Sequence, residues 1–182
     1  MNFKKITSIT VYCSSSNKIS ISYKKQAKKI GFFLAQKNIK LVYGGGSNGL
    51  MGEVARSVKE KNGYVTGIIP KFLIEKEGID DHIDEKIIVN DMSQRKKLLF
   101  NKGEAFIALP GGAGTIEEIT EIISWFNLGL HSKPIIFFNY KNFWDPLISI
   151  YKNIYKDMLI EKKHKELFYT IRNINEIKKL FK

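Results

Sequence analysis

The feature that most constrains this chain is the alternation of short apolar runs with longer amphipathic segments along its 182 residues. Short runs rich in Ile and Val read as strands buried on both faces, and the segments between them, with apolar residues at helical spacing, read as the helices that cover those faces. Strands are expected at Ser8 to Cys13, Lys40 to Tyr43, Tyr64 to Ile69, Lys86 to Val89, Ala105 to Leu109 and Pro134 to Phe138, with a weaker one at Phe168 to Arg172. Helices are expected near 20–37, 49–61, 92–102, 115–128, 144–158 and 175–181. This βαβα order specifies an α/β fold, a doubly wound, mostly parallel sheet with helices on both faces. The length suits a single domain over 1–182.

Charge narrows the partners. There are 30 Lys and Arg against 18 Asp and Glu, a net +12 that could attract an acidic partner. Only Arg56, Arg95 and Arg172 are arginines, and lysines such as Lys24, Lys25, Lys28 and Lys29 sit on exposed helix positions without interleaved aromatics. That pattern reads as a lysine-rich composition, and no nucleic-acid partner is expected. Cys13 is the single cysteine, so no disulfide forms within the chain, and His82, His131 and His164 are scattered, so no metal site is expected. The first residues lack the apolar core of a signal peptide and no apolar run approaches a membrane span, which leads to the expectation of a cytoplasmic protein without membrane association.

Two glycine-rich turns follow predicted strands, where a parallel sheet binds ligands and exposed amides can hold an anion. The first runs from Gly44 through Gly45, Gly46 and Gly49 to Gly52. It formally matches G-x-G-x-x-G, but it follows the second strand, and the next strand ends at Ile69-Pro70-Lys71 with no acid for a ribose hydroxyl, so dinucleotide binding is not expected. A tight turn with close helix packing is the alternative reading of these glycines. No P-loop motif occurs. The second turn is Pro110-Gly111-Gly112-Ala113-Gly114-Thr115-Ile116-Glu117-Glu118. Two such turns can converge on one crevice and hold a phosphate. Thr115 and Glu118 also match a T-x-x-E capping box, so spacing leaves Glu118 open between a cap and a catalytic carboxylate.

A third segment, Asp91-Met92-Ser93-Gln94-Arg95-Lys96-Lys97, pairs Asp91 with Gln94 in another capping box and puts cations in the first turn of a helix. Cations there oppose the helix dipole by ~0.3–1 kcal/mol each, which a bound anion would offset and a solvated face would tolerate. Asp145-Pro146 reads as a cap followed by proline at the first helical position. The stripe Leu147, Tyr151, Ile154 and Met158 then covers the sheet.

With these segments in view, the sequence resembles the LOG ("Lonely Guy") family of cytokinin riboside 5′-monophosphate phosphoribohydrolases, also labelled lysine decarboxylase-like. The resemblance runs from about Ser8 to Phe138 and is carried by the P-G-G-x-G-T-x-x-E motif at Pro110–Glu118, by Gly44–Gly52, and by Trp125 to Pro134. It implies a Rossmann-like homodimer that needs no cofactor and cleaves a purine nucleoside 5′-monophosphate, AMP or a cytokinin riboside monophosphate, into base and ribose 5-phosphate. By the same resemblance Arg95 and Glu118 are catalytic. That resemblance also puts substrate contacts on Met92, Lys96, Gly112, Gly114, Thr115 and Glu117, and more weakly on Ser124, which matches a family threonine, while the two glycine turns add Gly45, Gly46 and Gly111 as phosphate contacts. Ser93 stands where the family carries histidine, and Ala113 where tyrosine is frequent, departures that bear on base contacts. Two rival readings stand beside this one: a non-catalytic nucleotide-binding or sensing module, which would use the same glycine turns, and a lysine decarboxylase. The latter needs pyridoxal phosphate and a Schiff-base lysine, which no lysine is marked out to supply.

Overall fold

The computed structural model describes residues 3–77, 79–159 and 167–182; His164 lies outside them. Seven parallel strands form one sheet: β1 (Ser8–Tyr12), β2 (Lys40–Tyr43), β3 (Val65–Pro70), β4 (Glu85–Val89), β5 (Ala105–Ala108), β6 (Ile135–Phe138) and β7 (Tyr169–Ile171), in the order β4-β3-β2-β1-β5-β6-β7. The chain winds outward from β1 to β4 on one side and then from β5 to β7 on the other. The reversal between β1 and β5 opens a crevice at the carboxyl ends of those strands, the place where doubly wound sheets bind ligands.

Alternation along the strands builds two cores. Ile9 and Val11 of β1, Ala105 and Ile107 of β5, and Ile136 and Phe138 of β6 face one side of the sheet. There they meet α1 (Ile21–Gln36), α2 (Gly49–Lys59) and α7 (Ile174–Leu180). Tyr12, Phe106, Ala108, Ile135 and Phe137 face the other, under α4 (Met92–Lys102), α5 (Ala113–Asn127) and α6 (Asp145–Lys156). Each of β1, β5 and β6 is buried over its whole length, which is why the sequence shows them as continuous apolar runs. No helix among the described residues is long and apolar enough to cross a membrane.

The doubly wound parallel sheet is as expected, with three local corrections. A seven-residue helix, α3 (Lys71–Glu77), follows directly on Pro70, where only the end of a strand is legible. The helix expected from 115 begins at Ala113, with Gly112 as its extended N-cap and no side chain capping it. The T-x-x-E capping box therefore does not form: Thr115 is already in the first turn, and Glu118 lies well inside the helix. Asp145 is not the cap of α6 but its first residue, after Trp144; its carboxylate accepts a hydrogen bond from Asn139 Nδ2 at 2.6 Å instead. The third expected cap is present. Asp91 Oδ1 accepts from Gln94 N at 2.8 Å, while Gln94 Oε1 reaches back to Asn90 N at 3.2 Å, one residue earlier than in the usual box.

Candidate active site

A cavity of about 370 Å³ lies at the switch point. The end of β1 contributes Tyr12, Cys13 and the serines 14–16, β2 is followed by Gly44, and the first turn of α4 brings Met92 and Arg95. The start of α5 supplies Gly112, Ala113, Gly114, Thr115, Glu117 and Glu118. The carboxyl edge of the sheet thus gathers residues from four separate parts of the chain.

Arg95 is 8% exposed, so its charge needs partners. Its Nε donates to Ile68 O at 3.3 Å and Nη2 to Gly44 O at 3.4 Å, so carbonyls at the ends of β3 and β2 hold the guanidinium plane. Nη1 lies 3.5 Å from Glu118 Oε1 and 3.9 Å from Met92 Sδ. The side chains of Arg95 and Glu118 are both about nine-tenths buried, so the contact is little screened. The fork is what matters here: a lysine ammonium could not satisfy two in-plane carbonyls and a carboxylate at once.

The two glycine turns have different roles. In the first, Gly49 N donates to Asn17 Oδ1 at 2.9 Å and Leu50 N to Ser14 O at 2.8 Å, so leading amides of α2 are occupied by the β1–α1 loop. Gly49, at φ +59°, makes this contact possible: a Cβ there would meet the backbone of residues 14 to 16. Gly45 and Gly46 do not line the cavity; they serve the turn, and Gly45 O accepts from Asp80 N at 3.3 Å. In the second turn the start of the 15-residue α5 faces the cavity with no side-chain cap, and a Cβ added at Gly112 or Gly114 would meet nothing within 4 Å. That is open space in front of uncapped helix amides, a seat for an anion. Gly111 lies behind it, against the Thr115 side chain.

Lys96 and Ser124 also lie off the cavity wall. Lys96 turns outward, with Nζ 2.6 Å from Glu117 Oε1 and 3.0 Å from Glu121 Oε1, and so clasps α4 to α5. The hydrogen bond to Glu117, then that to Glu121, raises its pKa. Ser124 is exposed, six residues past Glu118 and hence about 9 Å further along the helix axis. Gly44, at the head of the first turn, does line the cavity, and sequence reasoning missed Tyr12, Cys13 and the serines 14–16, which line it too. Their signal was the position of β1 beside the switch point, which requires the strand order. Burial, then the nearby Glu118, raises the pKa of both the Tyr12 phenol and the Cys13 thiol, so neither supplies an anionic nucleophile. Among the described residues, no lysine lines the cavity and no cluster of His, Cys, Asp and Glu is placed to hold a metal.

Solved structures share the fold. The molybdenum cofactor binding protein of Rippkaea orientalis superposes with a TM-score of 0.73 at 18% identity, over 95% of this chain and 93% of that one. Sequence relatives lie nearer. The chain is 38% identical to the cytokinin riboside 5′-monophosphate phosphoribohydrolase LOG3 of Arabidopsis thaliana, over 98% of its own length and 83% of the relative's. It is 40% identical to the probable cytokinin riboside 5′-monophosphate phosphoribohydrolase LOGL9 of Oryza sativa subsp. japonica, over 89% of its own length and 71% of the relative's. Residues 51–181 match the family described as "possible lysine decarboxylase". With the glycine-started α5, the Arg95–Glu118 pair and these relatives together, the chain belongs to the LOG family, the phosphoribohydrolase-containing family that carries the lysine decarboxylase label.

Proposed function

We propose that this protein hydrolyses the N-glycosidic bond of a purine nucleoside 5′-monophosphate, AMP or a cytokinin riboside monophosphate, releasing the base and ribose 5-phosphate. The observation that carries the reading is the Arg95–Glu118 pair, 3.5 Å apart, in the same cavity as the uncapped start of α5. The 5′-phosphate sits on the amides from Gly112 to Thr115, a remote binding contact that places the ribose over Glu118. As the bond from C1′ to the base nitrogen lengthens, positive charge builds on the ribose, and the Glu118 carboxylate stabilises that charge more than it stabilises the ground state. Water adds to C1′, and the base departs with the bonding electrons and takes up a proton. Arg95 does not supply that proton, because a guanidinium does not give up a proton in proteins; it orients Glu118 and stabilises charge on the leaving base.

The lysine decarboxylase reading lacks support at this cavity, since among the described residues no lysine lines its wall to form a Schiff base. The relatives' names support a nucleotide monophosphate as substrate. Incubation with AMP tests the reading: adenine and ribose 5-phosphate are expected in equal amounts. Glu118→Gln should lower kcat by about a hundredfold or more while AMP still binds. Saturable AMP binding without products in the wild-type protein would replace the enzyme by a nucleotide sensor. The proposal extends to a homodimer, supported by Ile116, Leu128 and Leu130, which stay exposed on and just after α5. Sedimentation at the mass of a single chain would remove that part.

A further inference from the structure

Two methionines flank Arg95 within the cavity, and the mechanism gives neither a task. Met51 is 6% exposed, whereas Met92, in the first turn of α4, is partly exposed on the cavity wall. The Met92 thioether stands 3.9 Å from Arg95 Nη1, the same nitrogen that lies 3.5 Å from Glu118 Oε1. A thioether is a weak acceptor and exerts little pull on the guanidinium. Its sulfoxide is a different group, polar and carrying a strong acceptor oxygen.

We infer that Met92 is an oxidation-sensitive modification site at which the sulfoxide oxygen competes with Glu118 for Arg95 Nη1 and so shuts off the cavity. The step is balanced with a peroxide as oxidant. A sulfur lone pair attacks one peroxide oxygen, the O–O bond breaks, and the departing hydroxide takes the proton from the new S–OH group to become water, leaving S=O; sulfur loses two electrons and the peroxide gains them. The new oxygen is bonded to the atom that already faces Nη1, so a small turn of the Met92 side chain lets it accept a hydrogen bond from that nitrogen. Gly44 O and Ile68 O hold Nη2 and Nε in place, so it is the Nη1 side, toward Glu118, that responds. Met158, expected on the sheet-covering stripe of α6, instead lies just past the end of that helix at 85% exposure and provides an internal reference, open to oxidant and lining no part of this cavity.

The inference rests on the roles proposed for Arg95 and Glu118. Its test is a hydrogen peroxide titration of the full chain, with sulfoxide at each methionine read by mass spectrometry and with AMP hydrolysis and AMP affinity measured on the same samples. Loss of kcat/KM by about tenfold or more should track sulfoxide at Met92 and not at Met158. Methionine sulfoxide reductases should restore it, and dithiothreitol, which reverses cysteine sulfenic acid and disulfides, should not. The Met92→Leu protein should keep its own untreated rate through the titration, while Met158→Leu should lose activity as the wild type does. Full sulfoxide at Met92 with unchanged rate and affinity would overturn the inference. So would a loss of activity that follows another residue, or full conversion of Met158 with Met92 untouched. If untreated protein releases no adenine, the hydrolase reading fails on its own, and AMP affinity of the oxidised protein still decides whether Met92 controls the cavity.

Discussion

Arg95 is one of three arginines in a chain with 27 lysines, and the structure gives a reason for the exception: two backbone carbonyls and a carboxylate lie where a fork can reach all three. Composition and motif together made this residue and Glu118 legible. They could not assign the glycines, because a glycine needed for close packing and one that leaves room for a ligand are the same letter. The geometry separates them, with a measurable consequence. Gly112 has φ −90°, and an added Cβ meets nothing in the protein, so Gly112→Ala should leave the melting temperature nearly unchanged. The methyl group would instead occupy the space proposed for the phosphate, and the KM for AMP should rise by about tenfold. Gly111→Ala should behave in the opposite sense, lowering the melting temperature because its Cβ runs into the Thr115 side chain. A Gly112→Ala protein that binds AMP as tightly as the wild type would move the phosphate elsewhere.

Among the elements, buried strands were legible because each is an uninterrupted apolar run, and amphipathic helices because their periodicity is long. Helix starts were harder. Thr115 and Glu118 match a capping box by spacing, yet Gly112 begins the helix earlier, since a backbone without a side chain takes the extended N-cap geometry as readily as a Thr does. α3 offered only seven residues after a proline, too few for a periodic signal. The connection from α5 to β6 holds a pH-dependent contact. His131 Nδ1 accepts from Lys133 N at 3.1 Å, and Nε2 lies 2.9 Å from Ile122 O, so the neutral ring with its hydrogen on Nε2 satisfies both. Burial holds its pKa below the usual imidazole value of about 6.5. Below that pH the unfolded chain binds a proton that the folded one resists. Stability is therefore expected to fall as pH drops from about 6.5 toward the depressed folded value, and to be unaffected by this group above it. Thermal melts across that interval should show the slope in the wild type and a shallower one in His131→Gln. An identical slope in both would assign the effect to other groups.

At the scale of the whole molecule, the sequence announced a parallel α/β sheet but not which strands meet. Strand order is a property of long-range packing, so the serine loop after β1 became a candidate only when β1 was found between β2 and β5. Charge has a similar large-scale organisation. No Asp or Glu occurs before Glu53, so the segment that builds β1, α1 and β2 is wholly cationic in its ionised side chains, and two of its carboxyl-end loops border the cavity. The carboxylates lining the cavity are matched by cations, Glu118 by Arg95 and Glu117 by Lys96, and the long-range field is that of a molecule carrying +12. A phosphate monoester dianion should be drawn in by that field, and salt should screen the attraction over a Debye length of about 10 Å at 0.1 M. Between about 0.02 M and about 0.5 M salt, kcat/KM for AMP should fall by roughly three- to tenfold while kcat stays level, because the chemical step is shielded inside the cavity. Reversing the charge of Lys18 and Lys40 together, by substitution with Glu, should reduce the salt dependence. A kcat/KM independent of salt would mean that capture depends on the local amides of α5 and not on the charge of the whole protein.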